Sequence, residues 1–453
     1  MKKTLSFFVI FLSVFAIYAQ NVDIQGITME NKIYQDFVLG MNVEKAGENF
    51  SLPIIDLRSG EQLVLNFDQE SELPHYFKYT YIHCTYDWQP SPNLQTYQYL
   101  SGFMQGDITD FQNSFTTVRS YINHRLLFPN DDVGILLSGN YVLYVYEEMS
   151  DNSIQPILTH RFTVTENLTE IGIEVKRSSS IADRDAKQEL ALSLSTSNFS
   201  VNNPRQNLRL VITQNGRYDN AVTVSSPTTV SPSLLRFNKP NEIEFEGGSE
   251  FRVFNIRTLR TTMEHVSRHV FENGDMQTYL ETDKQRAYMA YANERDIDGC
   301  YFIAADDGLS IPSVDDYVLN RKTKTYTKTD NTIHSPEADY TFVHFSYWCD
   351  PLPNKDIYVW GELTNWSFIP AAKMTFSEYK HRWESTLFLK TGYYNYTYIA
   401  VDKNTVLGSY MYTEGSHWET ENRYVVIAYY HGDGLQYDRV IGYKQHFSGN
   451  ENY

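Results

Sequence analysis

Leu190-Ala191-Leu192-Ser193-Leu194-Ser195 places a leucine at every second position. Successive side chains of a β-strand point to opposite faces, so this spacing predicts a strand with one buried face and one wet face. Leu208, Leu210 and Ile212 alternate in the same way with Arg209, Val211 and Thr213, and Ile243 and Phe245 alternate with Glu242, Glu244 and Glu246. Asn215-Gly216 and Gly247-Gly248 punctuate these runs and read as two-residue hairpin turns. Other strands are apolar on both sides. Tyr141, Leu143 and Val145 oppose Val142, Tyr144 and Tyr146, and 424–430 reads alike. Such strands are central, or another domain covers their outer face.

Composition agrees with this reading. Aromatics are 15% of the chain and Tyr alone numbers 35, and these residues suit a pleated, half-buried surface. No amphipathic pattern extends beyond about three helical turns. The expected fold is mostly β, in tandem antiparallel β-sandwich domains of immunoglobulin-like or early-set type. Three domains are expected, at 20–165, 166–331 and 332–453, with the polar stretch Asn320–Asp330 as a linker.

Met1-Lys2-Lys3 followed by an apolar run to Ala19 reads as an export signal. The run is shorter than the ~20 apolar residues of a spanning helix. Cleavage after Ala19 leaves Gln20 first, and the nearest cysteine, Cys84, is too distant for a lipid anchor. The mature chain is expected to be soluble, without bilayer insertion. The formal charge of the full chain, −18, excludes nucleic acid as a natural partner. Cys84, Cys300 and Cys349 are widely spaced and imply no zinc site. They allow one disulfide with a free thiol, or three buried thiols.

His83, Cys84 and Asp87 lie close together, followed by Trp88. Neighbours on a strand face opposite ways, so His83 and Cys84 make a poor nucleophile pair. Asp296-Ile297-Asp298-Gly299 and Asp306-Asp307-Gly308 have the look of calcium loops but lack the ligand series and flanking helices. They read as turns. No phosphate loop, zinc-protease motif, nucleophile elbow or dinucleotide fingerprint is present. No enzyme activity, cofactor or metal is expected.

The region 356–366, with Trp360 and Trp366, then Trp383 and the run Gly392-Tyr393-Tyr394-Asn395-Tyr396, is similar to early-set modules that bind starch or glycogen. If Trp360, Trp366 and Trp383 are exposed, they could stack sugar rings. This gives an alternative function, an exported carbohydrate-binding protein. The competing reading makes these rings core.

A set of strings resembles the plug family of the type IX secretion system. The first region carries His83-Cys84 with Trp88, Gly102-Phe103, Ser114, Thr117, Pro129-Asn130, Ser138-Gly139-Asn140-Tyr141 and Arg161-Phe162. The second carries Gln214-Asn215-Gly216-Arg217, the run Phe245 to Arg252, and Asp296 to Gly299; the third carries Thr420-Glu421-Asn422 and Tyr437-Asp438-Arg439. Thr116 and Ser249 depart from the pattern. The resemblance implies a periplasmic protein, monomeric when free, that reversibly caps the periplasmic mouth of the outer-membrane β-barrel translocon. It implies no catalytic residue. His83, Cys84, Trp88, Ser138, Gly139, Asn140 and Tyr141 are its candidate signature, structural or partner-facing. Type IX cargo carries a C-terminal sorting domain, which 443–453 does not resemble.

Overall fold

The computed structural model describes residues 24, 26–48, 50–70, 75–305, 319–320, 325–326 and 336–449. The expected signal segment 1–19, the Asp306-Asp307-Gly308 turn and most of the 320–330 linker lie outside them. The chain is mostly β, in antiparallel sheets packed as sandwiches. Among the described residues the α-helices, Thr96–Tyr99 and Pro204–Asn207, are single turns. No helix among the described residues is long and apolar enough to cross a membrane.

The first sandwich uses residues 32–165. One sheet runs in the order Lys32–Ile33, Ile154–Thr165, Gly139–Glu148, Phe77–Cys84, Gly106–Asp107. The facing sheet runs Val38–Lys45, Leu63–Gln69, Ile122–Phe128, Asp110–Asn113. Leu63, Leu65 and Phe67 meet Tyr79, Tyr81, Tyr141 and Leu143 in one core. Each such buried side chain stabilises by about 1.5–3 kcal/mol. Gly139–Glu148 is buried on both faces as far as Tyr146, as its two-sided apolar pattern requires. Val142, Tyr144 and Tyr146 form an outer cluster with Ile82, Cys84 and Trp88.

The second sandwich opens with a sheet ordered Glu170–Arg177, Lys187–Ser195, Leu234–Phe237, Thr229–Val230, with Glu244–Glu246 also on Lys187–Ser195. Its other sheet runs Val222–Val224, Leu208–Gln214, Arg423–Tyr430, Arg439–Phe447. The alternating leucines at 190, 192, 194, 208 and 210 pack there against Phe245, Tyr424 and Val426. Strands from the end of the chain therefore complete a sandwich begun near residue 170.

The third sandwich is built from what lies between. One sheet has Arg252–Asn255, Gly392–Asp402 and Tyr301–Ile303, with Lys355–Trp360 and Gly408–Ser409 also on the long strand. The other runs Val266–Glu272, Asp275–Leu280, Tyr340–Trp348, Arg382–Lys390, Thr375–Ser377. The third sandwich is thus inserted into the second, entered after Glu246 and left before Arg423. The expected boundary at 331 and 332 does not separate the sheets: strands of 332–453 divide between two sandwiches. Gly247-Gly248 is the crossing from one to the other, and Asn215-Gly216 opens a longer connection, 215–221. Neither is a two-residue hairpin.

Candidate functional site

The signature residues meet at the joints between sandwiches. His83 lies on the inner face of its strand and is walled by Tyr141 and, from the far end of the chain, Tyr437. Ser91 Oγ lies 2.7 Å from its Nδ1, and Nε2 lies 3.3 Å from the Ser138 carbonyl. Burial pushes His83 down to about 4, so the ring is neutral, accepting from Ser91 and donating to Ser138. A Cβ at position 139 would collide with this ring, which explains Gly139.

Asn140 is wholly buried. Its amide donates to the Thr85 carbonyl (3.0 Å), and its Oδ1 accepts from Thr163 Oγ1 (3.1 Å) and the Tyr429 hydroxyl (2.9 Å). Ser138 donates to Glu166 (2.7 Å), which Arg439 grips with two bonds of 2.9 and 2.6 Å. Burial raises the Glu166 carboxyl, but Arg439 and Ser138 outweigh it and hold the group below its ordinary value. Asp438 accepts from the Tyr86 N–H at 2.9 Å. Arg161 lies 4.6 Å from both the Trp88 and Tyr218 rings. Strings more than 300 residues apart thus form one dock between the first and second sandwiches.

Cys84 points away from His83, into the outer cluster, and burial pushes its thiol up to about 12. The two do not form a nucleophile pair. Cys300 and Cys349 are also buried and free, so there is no disulfide.

The second joint holds the insertion. Glu246 accepts from Ser409 Oγ (2.7 Å) and the Tyr410 N–H (2.8 Å). Buried Arg217 pairs with Asp219 at 2.7 Å and donates to the Gly408 carbonyl at 2.9 Å. Within the third sandwich itself, Arg252 bonds Glu414 twice at 2.9 Å and Asp283 at 2.7 Å, all three side chains being buried. Asp296 and Asp298 lie in a turn beneath Phe251, whose N–H donates to Asp296 at 2.5 Å.

A third joint went unread in the sequence. Asp68 accepts from Lys390 Nζ (2.7 Å), the Tyr340 hydroxyl (2.6 Å) and the Asn123 amide (2.8 Å). Arg119 is paired to Asp275 at 2.6 and 2.9 Å and also to Glu70. These contacts lock the first sandwich to the third. The only local signal is Asn66 and Asp68 alternating with Leu65 and Phe67, which is how an ordinary wet face reads.

The three joints surround a cavity of about 1030 Å³. Of the tryptophans at 360, 366 and 383, Trp360 and half-buried Trp366 line it. Trp360 is 0% exposed and stacks on Phe368 at 4.3 Å, while Trp383 is 9% exposed in a different cluster, the third core. They form no common sugar platform.

Glu362, on the cavity wall, is the unusual carboxyl there. Burial raises it to about 7; Arg423 and the Tyr301 N–H oppose this, and Glu44 adds to it. Part of the side chain remains solvent-accessible. A carboxyl raised in the folded state stabilises fully below its unfolded value of 4.5, and this is lost as pH rises through about 7. The full shift would be worth about 3 kcal/mol, and solvent screening reduces it to about 1–3 kcal/mol. Glu362→Gln should therefore gain stability over wild type by roughly that amount between pH 5 and 8, read from urea midpoints. A difference that stays flat across this range would contradict the assignment.

The sequence of residues 38–166 matches the model of the type 9 secretion system plug protein 1st domain. A hypothetical protein from Parabacteroides merdae ATCC 43184, known from a 2.30 Å crystal structure, is 31% identical. The likeness covers 93% of this chain and 100% of that one, with a TM-score of 0.83. A chaperone–tip adhesin complex of CFA/I fimbriae (12% identity, 45% of this chain, 87% of that one, TM-score 0.17) is too different in shape to carry an argument. So is the major pilin subunit BcpA of Bacillus cereus (9% identity, 50% of this chain, 64% of that one, TM-score 0.15). No curated protein matches the chain. The family match falls on the first sandwich, the part that the string from His83 to Tyr141 docks onto the rest, and the chain belongs to the type 9 secretion system plug protein family.

Proposed function

We propose that this protein is a periplasmic plug that reversibly caps the periplasmic mouth of the outer-membrane β-barrel translocon. Membership of the family gives it a role in type IX secretion at the cell envelope. The observation that carries the finer reading is the polar joint between each pair of sandwiches. A barrel wide enough to pass folded cargo needs a closure that keeps its shape. Three sandwiches locked by Asp68–Lys390, by Glu166–Arg439, and by Glu246–Ser409 with Arg217–Gly408 form such a wedge. The acidic surface suits a reversible, polar contact with a basic rim, which salt should weaken.

The cell-surface carbohydrate reading loses its basis with Trp360 and Trp383 buried. The test is a deletion strain with the barrel intact. It should become sensitive to antibiotics too large for ordinary porins, while secretion continues. A strain lacking both plug and barrel should regain resistance. Unchanged permeability in the single deletion would reject the closure role.

A further inference from the structure

The cavity between the sandwiches is walled by open sheet edges. Lys32–Ile33 is the terminal strand of one sheet, Val38–Lys45 of a second and Val222–Val224 of a third. Lys32, Ile33, Gly40, Met41, Asn42 and Thr223 all line the cavity. Terminal strands carry unpaired backbone N–H and C=O groups, and proteins ordinarily cover or blunt them. The second edge carries a bulge: Leu39 faces Asp68 and Asn42 faces Asn66, so Gly40 and Met41 together oppose Phe67. A bulge leaves a residue outside the ladder.

Asn66 adds a second, independent sign. It lines the cavity at 2% exposure, and neither its amide nitrogen nor its oxygen has a hydrogen-bond partner among the described residues. A buried side-chain amide left without partners costs about 1–3 kcal/mol. One donor beside one acceptor is the complement of a peptide group.

We infer that this cavity is a binding site for an extended peptide segment. The segment pairs its backbone with an open edge and satisfies Asn66. Strand addition of this kind draws affinity from main-chain hydrogen bonds and specificity from alternate side chains. A peptide fits better than a sugar because the aromatic faces near the cavity are already engaged. Arg161 covers Trp88, Trp360 covers Phe368 and Tyr394 covers Tyr301. The charge around the cavity is mixed: Asp68 neutralises Lys390, and Glu30 and Asp87 share the lining with Lys32 and Arg161. The volume is at the top of the range of about 300–1,000 Å³ for preformed ligand sites. This site does not depend on the closure role.

The full chain is tested against a library of short peptides with blocked ends. Selected peptides are titrated by tryptophan fluorescence, since Trp88 and Trp366 line the cavity. A selected peptide should bind, and alternate N-methylation of its backbone should weaken it by at least about tenfold. Asn66→Leu should lose about as much. Ala221→Trp, which fills the cavity from an exposed position, should abolish binding with the unfolding midpoint unchanged. Maltohexaose and chitohexaose should leave the fluorescence unchanged. Binding that survives N-methylation or Ala221→Trp, binding of the sugars instead, or no peptide bound at all would each overturn the proposal.

Discussion

Replacing Arg252 with Met should cost the chain about 5 kcal/mol or more, the largest loss expected from any one substitution here. The guanidinium sits between Glu414 and Asp283, and none of the three side chains is more than 7% exposed. Removing one partner of a buried pair costs about 3–5 kcal/mol because the other charge stays buried without compensation. Here two carboxylates are left. Asp283 keeps the hydroxyls of Tyr396 (2.6 Å) and Tyr398 (2.8 Å), and Glu414 keeps the Tyr398 N–H (3.1 Å), so the loss is not unlimited.

The loss has a pH signature. Burial alone would raise Asp283, but Arg252 outweighs it and holds the group at about 2. A carboxyl depressed in the folded state stabilises above its unfolded value of 3.8, and this is lost as pH falls through about 2. The gap between wild type and Arg252→Met should therefore be widest above pH 4 and shrink below it. Guanidinium unfolding across this range reads the gap. A variant within about 1 kcal/mol of wild type at neutral pH would show that the buried network holds nothing together.

Lys390→Met should cost about 3 kcal/mol and uncouple the first sandwich from the third. Asp68 loses its 2.7 Å ion pair but retains Tyr340 and Asn123, so the cost falls at the low end for a broken buried pair. Arg119 still ties the same two sandwiches to each other through Asp275. The informative readout is cooperativity. If the joint couples the sandwiches, wild type should unfold in fewer calorimetric steps than the variant, in which the first sandwich melts separately. Identical step patterns would mean that the joint stabilises without coupling.

Individual strands were legible because one-sided burial writes itself into every second residue. Leu190, Leu192 and Leu194 point inward as their spacing demands, and the two-sided run Tyr141 to Tyr146 is buried on both faces. The partner of each strand was not legible. Nothing in Tyr424–Tyr430 says that it pairs with Leu208–Gln214, two hundred residues away, because a strand's local pattern specifies a face and not a neighbour. The insertion was hidden for that reason. Gly247-Gly248 looks like any hairpin turn until the sheets on its two sides are known to differ.

The signature residues could be picked out but not interpreted. Ser138, Asn140 and Gly139 make sense only once Glu166, Tyr429 and His83 stand beside them. Asp68 and Lys390 could not be picked out at all, since a charged residue at an alternating position normally faces water. The two readings of the tryptophans stayed open in the sequence because depth cannot be read from residue type: Trp360 and Trp366 sit six positions apart, one sealed and one half-buried.

The direct measurement of the closure claim is ionic conductance through the purified outer-membrane barrel in a planar bilayer. Adding this protein on the periplasmic side should close the open channel, reversibly and less completely as salt is raised. The Lys390→Met variant should close it poorly. Conductance that is unchanged by the wild-type chain at any concentration would contradict the account.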